Sequence, residues 1–89
     1  MIVSIRHSIL KSLFEKGAAA GISRELKHYL LLWLSVIHAA KDVDDLSVSE
    51  VSVLEGDKNS YRLIVHGLGT FSFRFVDGEI RQLNYKQEN

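Results

Sequence analysis

Between Asp42 and Asp45 the apolar residues change from a helical to an alternating rhythm, and that change decides what the chain can build. Before it, Ile9, Leu10, Leu13 and Phe14, then Leu26, Leu30, Trp33, Leu34 and Ile37, follow the i, i+3, i+4 spacing of amphipathic helices. After it, Val51 and Val53, then Tyr61, Leu63 and Val65, then Phe71, Phe73 and Phe75 recur at every second position, the period of a half-buried strand. Helices first and strands second predict an α+β fold: two N-terminal helices packed on one face of a mostly antiparallel sheet. With 89 residues there is room for one domain, spanning 1-89, and for one core.

Punctuation refines the plan. Residues 2–5 are rich in β-branched side chains and read as a short first strand. Ser8 is the expected N-cap of the first helix, and Gly17 its left-handed C-cap. Ser23 caps the second helix, predicted over residues 24–41, with Glu25 favouring the positive end of its dipole. Tyr29, Leu32 and Val36 add a second apolar stripe, so this helix is expected to be sandwiched, with Trp33 inside the core. Loops are expected at residues 56–60 and 67–69. Asp77-Gly78 is a strong hairpin signal, leading to a last strand over residues 80–85. A tight turn there sets Val76 opposite Glu79, Arg74 opposite Arg81 and Thr70 opposite Tyr85. It also turns Gln82 and Asn84 inward unless a bulge intervenes.

Composition removes several function classes. There is no cysteine, hence no disulfide framework, no thiolate nucleophile and no cysteine-based zinc site, which suits a reducing cytoplasm. The most apolar run, residues 29–37, is nine residues and too short for a bilayer span of about 20, and the N-terminus lacks a signal-peptide pattern. A cytoplasmic chain without membrane partners is expected. Eleven basic residues balance eleven acidic ones, so the broad positive field of many nucleic-acid binders is missing. The balance is uneven, however: residues 1–41 carry a net +4 and residues 42–89 a net −4. Solvated faces are the commoner reason for such a split, although a charged partner on either half would also fit it.

His7, His28, His38 and His66 are the natural places to look for proton transfer, but none is paired at ligand spacing. His28 and His38 lie ten residues apart, roughly 80° from a shared helix face, so they do not make a metal pair. Asp42, Asp44 and Asp45 lack the spacing and glycine of a calcium loop. No phosphate-binding glycine loop or nucleophile elbow is present, and no cofactor or metal is implied. What remains is the outer sheet face. There Arg62, Arg74 and Arg81, with Tyr85, can meet an anion: guanidinium groups suit bidentate phosphate contacts, and a tyrosine ring can stack on a base. Solvated arginines are the ordinary alternative, and the opposition of Arg74 and Arg81 hints at an anionic ligand or an acidic partner.

The order of short motifs adds a family reading. Ile5-Arg6-His7, Leu10-Lys11, Leu13-Phe14-Glu15-Lys16-Gly17 and Gly21-Ile22 resemble the opening of HigB-type killer proteins of the RelE superfamily. Ala39-Ala40-Lys41, Asp45-Leu46, Leu54-Glu55-Gly56-Asp57 and Phe73-Arg74-Phe75 with Asp77-Gly78 continue the likeness over almost the whole chain. The resemblance implies a RelE-like fold and the toxin of a toxin–antitoxin pair, silenced by an antitoxin, expected to be of helix-turn-helix type. Similar members cut messenger RNA on the ribosome. It also implies that Arg74 is catalytic, leaves Tyr85 as the reachable proton-transfer group, and makes Arg62, Arg81 and Lys58 candidates for RNA contact. The sequence departs from the family pattern at three places. Ser52 stands where a histidine is usual, Gly69-Thr70 where a Trp-Arg pair is usual, and Glu88-Asn89 where a Tyr-His ending is usual. The expected activity is therefore an mRNA endoribonuclease weakened or lost, and the alternative is a non-catalytic module that only engages an antitoxin or similar partner.

Overall fold

The structure, a computed structural model, describes residues 1–46 and 52–88. Two helices, α1 (Ser8–Lys16) and α2 (Arg24–Ala39), precede a single 3-10 turn (Val43–Leu46) and four strands: β1 (Ser52–Asp57), β2 (Ser60–Val65), β3 (Gly69–Val76) and β4 (Glu79–Gln87). The strands form an antiparallel meander in the order β1-β2-β3-β4, giving the expected α+β, RelE-like arrangement. One buried cluster joins Leu10 and Leu13 of α1, Leu30, Trp33, Leu34 and Ile37 of α2, and the inward residues Leu63, Phe71, Phe75, Ile80 and Leu83 of the sheet. The helices thus close one face of the sheet and leave the other open. Among the described residues no helix is long and apolar enough to cross a membrane.

The helix caps are mostly those expected. Gly17 ends α1 at φ 71°, and the Ser23 hydroxyl accepts from the Leu26 amide at the start of α2. At the start of α1, however, the cap is His7 rather than Ser8: its Nδ1 accepts from the Leu10 amide at 3.4 Å, and Ser8 is the first helical residue. The sandwiched position predicted for α2 is also corrected. Trp33 is inside, at 7% exposure, but Tyr29 and Leu32 are 45% and 50% exposed, because a domain with only two layers has nothing to lay over a second stripe.

Residues 2–5 do not form a regular strand. They run parallel to β4, touching it at two isolated bridges, Ile2 with Ile80 and Ile5 with Leu83. The cause lies in β4, where a bulge at Gln82 (φ 56°) breaks the ladder between those points. The bulge also resolves the inward-facing Gln82 and Asn84 of the simple register. Arg74 still opposes Arg81 and Val76 still opposes Glu79, as expected, but beyond the bulge Phe71 opposes Tyr85 and Thr70 opposes Lys86.

The first hairpin is tighter than the predicted loop over residues 56–60. β1 and β2 are joined by Lys58 and Asn59 alone, both at positive φ (49° and 73°), a pairing suited to a two-residue turn. That register turns Ser52 inward opposite Val65 and leaves Val53 exposed opposite Ile64, which reverses the phase expected of this strand. Glu50 and Val51 of that alternation lie outside the described residues.

Candidate functional site

The open face of the sheet carries the cations because Arg62 and Arg74 occupy strand positions whose neighbours point into the core. Phe73 and Phe75 flank Arg74 and are buried, while Arg74 itself is exposed. Cross-strand pairing lines up Glu55, Arg62, Ser72 and Asn84 in one row, and Ser60, Arg74 and Arg81 in the next. Between these rows lies a shallow groove of about 490 Å³, lined among others by Arg6, Glu55, Arg62, Arg74, Gln82 and Asn84.

Three arginines therefore converge, but not the three that the sequence suggested. Arg62 is bound to Glu55, Nη2 to Oε2 at 3.1 Å, with both side chains well exposed. Arg74 makes no ion pair among the described residues. Arg81 lies across from Arg74 yet does not line the groove, since its guanidinium turns to Glu79. Arg81 thus has a counter-charge within the chain, in Glu79. Lys58 is exposed in the first hairpin turn and does not line the groove either.

Tyr85 is placed on the wrong side for the role expected of it. The register beyond the bulge turns it inward, 8% exposed, with its hydroxyl donating to the Leu68 carbonyl and its ring 5.1 Å from Phe71. Burial, and to a lesser degree the charge of Glu88, push its phenol above its ordinary value. It therefore anchors the loop between β2 and β3 and does not reach the arginine groove.

Arg6 is the residue that sequence reasoning missed. Its neighbours read only as the end of a strand, and nothing local says that the segment will lie beside β4. The Arg6 amide donates to the Leu83 carbonyl at 2.7 Å, and the Ser4 hydroxyl accepts from the Gln82 amide at 2.8 Å, so the bulge itself holds the segment that delivers Arg6. Gln82 and Asn84 also enter the groove only because of the bulge.

The groove offers cations and amides without an imidazole. His66 is exposed at the turn after β2, beside Trp33 and Leu68, on the helical side of the molecule. Ser52 is buried on the inner face, and the Glu88 carboxylate accepts from the Gly67 amide. Glu55 is the only carboxylate lining the groove among the described residues, and it is already held by Arg62. Chemically, such a surface can bind phosphate and stabilise charge developing on it.

No family model matches the chain. Endoribonuclease HigB of Proteus vulgaris is 30% identical over 89 residues, a match that covers 97% of this chain and 97% of that protein. Identity at that level, end to end, on two helices followed by a four-stranded antiparallel sheet, means that the chain belongs to the HigB family of the RelE superfamily.

Proposed function

We propose that the protein is the toxin of a type II toxin–antitoxin pair, that its arginine groove holds the phosphates of messenger RNA on the ribosome, and that its cleavage activity is weakened or lost. The relative's name supplies the reaction class, and the observation that carries the reading is the groove: Arg6, Arg62 and Arg74 gathered on the open sheet face with no histidine beside them. Cutting an RNA phosphodiester needs a base for the 2′-hydroxyl, cations for the charge on the phosphate and an acid for the leaving oxygen. The arginines supply the second. For the first, the groove has only Glu55 among the described residues, and a carboxylate is a far weaker base than an imidazole.

The protein's expected partner is an antitoxin of helix-turn-helix type, and a short gene of that kind found beside this one would support the pairing. The test adds purified protein to translating ribosomes and maps mRNA ends. Cleavage is expected at least ~100-fold slower than by a HigB with its histidines, the cost of one missing acid/base group, and Arg74→Ala abolishes what remains while leaving the fold intact. Robust codon-dependent cleavage overturns the weakened-activity reading. The absence of imidazole from the groove equally suits a non-catalytic module, and that reading prevails if wild type and Arg74→Ala bind antitoxin differently while neither binds RNA.

A further inference from the structure

One histidine fastens the segment that delivers Arg6 to the groove, and a second caps the helix that follows it. The Ile2 amide donates to Nδ1 of His38 at 3.1 Å, across from the end of α2, and the Leu10 amide donates to Nδ1 of His7 at 3.4 Å. Each contact uses the Nδ1 lone pair as its acceptor, which a protonated Nδ1 cannot offer. Both rings are also seated against aromatic neighbours, His38 at 5.2 Å from Phe14 and His7 at 5.8 Å from Tyr85. The remaining ties of residues 1–6 are backbone bonds to β4 on either side of its bulge, the bond from the Gln82 amide at the bulge to the Ser4 hydroxyl, and one from the Met1 ammonium to the Gly78 carbonyl.

Resting on the groove reading above, we propose that His38 and His7 are positioning residues of an acid-sensitive latch: His38 holds the N-terminal segment by the Ile2 amide, His7 caps the helix into which that segment runs, and together they keep Arg6 in the RNA-phosphate groove. Protonation replaces each Nδ1 lone pair by a proton, so the amides of Ile2 and Leu10 face a donor instead of an acceptor. At His7 the new charge also stands at the positive end of the α1 dipole. Of the elements next to His38, α1 carries Lys11 and Glu15, which line the crevice beside Ile2, the N-terminal segment carries the Met1 ammonium, bound to the Gly78 carbonyl, and the chain after α2 carries Lys41, Asp42 and Asp45, with Asp45 bound to the Lys41 and Asp42 amides. Around His7, β4 presents Tyr85, with its hydroxyl committed to Leu68, and beyond it Glu88 on the Gly67 amide.

Asparagine is the discriminating substitution, because its Oδ1 stands in for Nδ1 as an acceptor and does not titrate. Two readouts are followed between about pH 7.5 and about pH 5.5, the range in which histidine changes charge: amide hydrogen exchange at Ile2 and Leu10, after correction for the intrinsic pH dependence of exchange, and the affinity for a fluorescein-labelled single-stranded RNA. In the wild type, acid is expected to expose Ile2 to exchange and to weaken RNA binding about tenfold, the share of one charged contact. His7→Asn combined with His38→Asn keeps Ile2 protected and removes that loss, while Arg6→Ala keeps the change in exchange but loses the pH-dependent part of the affinity. Identical acid profiles in wild type and the double variant overturn the latch, whatever the RNA does. Opening of Ile2 in a protein that binds no RNA at either pH supports the latch and overturns the groove reading instead.

Discussion

At the scale of single residues, alternation is a reliable guide only as far as the nearest irregularity. Phe73, Arg74 and Phe75 obey it, and Arg74 points out as the sequence implies. Tyr85, eleven residues on and past the bulge, does not, and its hydroxyl is spent on the Leu68 carbonyl. Tyr85→Phe is therefore expected to leave RNA contacts unchanged and to cost about 1 kcal/mol in urea denaturation, because a buried carbonyl loses its partner. The sign of its pH dependence follows from the raised phenol: the folded state favours the neutral form, so stability is intact below about pH 10 and falls as pH rises through the folded value. The phenylalanine variant should lose this alkaline component. Trp33 is a simpler case. Its place in the core was legible from helical spacing, and Trp33→Ala is expected to cost about 3–5 kcal/mol by the same measurement.

Among the elements, the two helices and the four strands were legible because each rests on a periodicity that local sequence displays, whereas the joints, and the expected strand over residues 2–5 that is only two isolated bridges, rest on backbone conformations and distant contacts that it displays poorly. Asp77-Gly78 could be read as a two-residue turn; Lys58-Asn59, with the same pair of positive φ angles, could not, since lysine is not a usual residue there. Gly56 drew attention as a loop glycine, but it sits inside β1 at φ 130°, where an added Cβ would lie 2.2 Å from the Ser60 carbonyl oxygen. Backbone atoms on the facing strand cannot yield as a flexible side chain would. Gly56→Ala is accordingly expected to destabilise the domain by roughly 1–3 kcal/mol and to disturb the first hairpin, seen as altered amide shifts from residue 54 to residue 62. The bulge at Gln82 was legible only indirectly, as the cost of burying Gln82 and Asn84 in an unbroken register. Its consequence for the N-terminal segment, and so for Arg6, is a contact between the two ends of the chain that no local pattern records.

Considered as a whole molecule, the chain has no net charge, and its basic helical half and acidic sheet half oppose one another. Long-range attraction to RNA is therefore weak, and any affinity has to come from the few cations that the fold gathers at one place. Arg6 comes from the basic half, whereas Arg62 and Arg74 stand in the acidic half close to Glu55. Three phosphate contacts on a single strand release counterions at ~0.7 each, so a plot of log affinity against log salt should have a slope of about −2. Arg74→Ala should reduce that slope by about 0.7, and Arg81→Ala, whose guanidinium is turned to Glu79 outside the groove, should leave it unchanged. Titration of labelled single-stranded RNA at several salt concentrations reads both. A slope near zero, or an equal loss from Arg74→Ala and Arg81→Ala, would show that the groove is not where RNA phosphate binds.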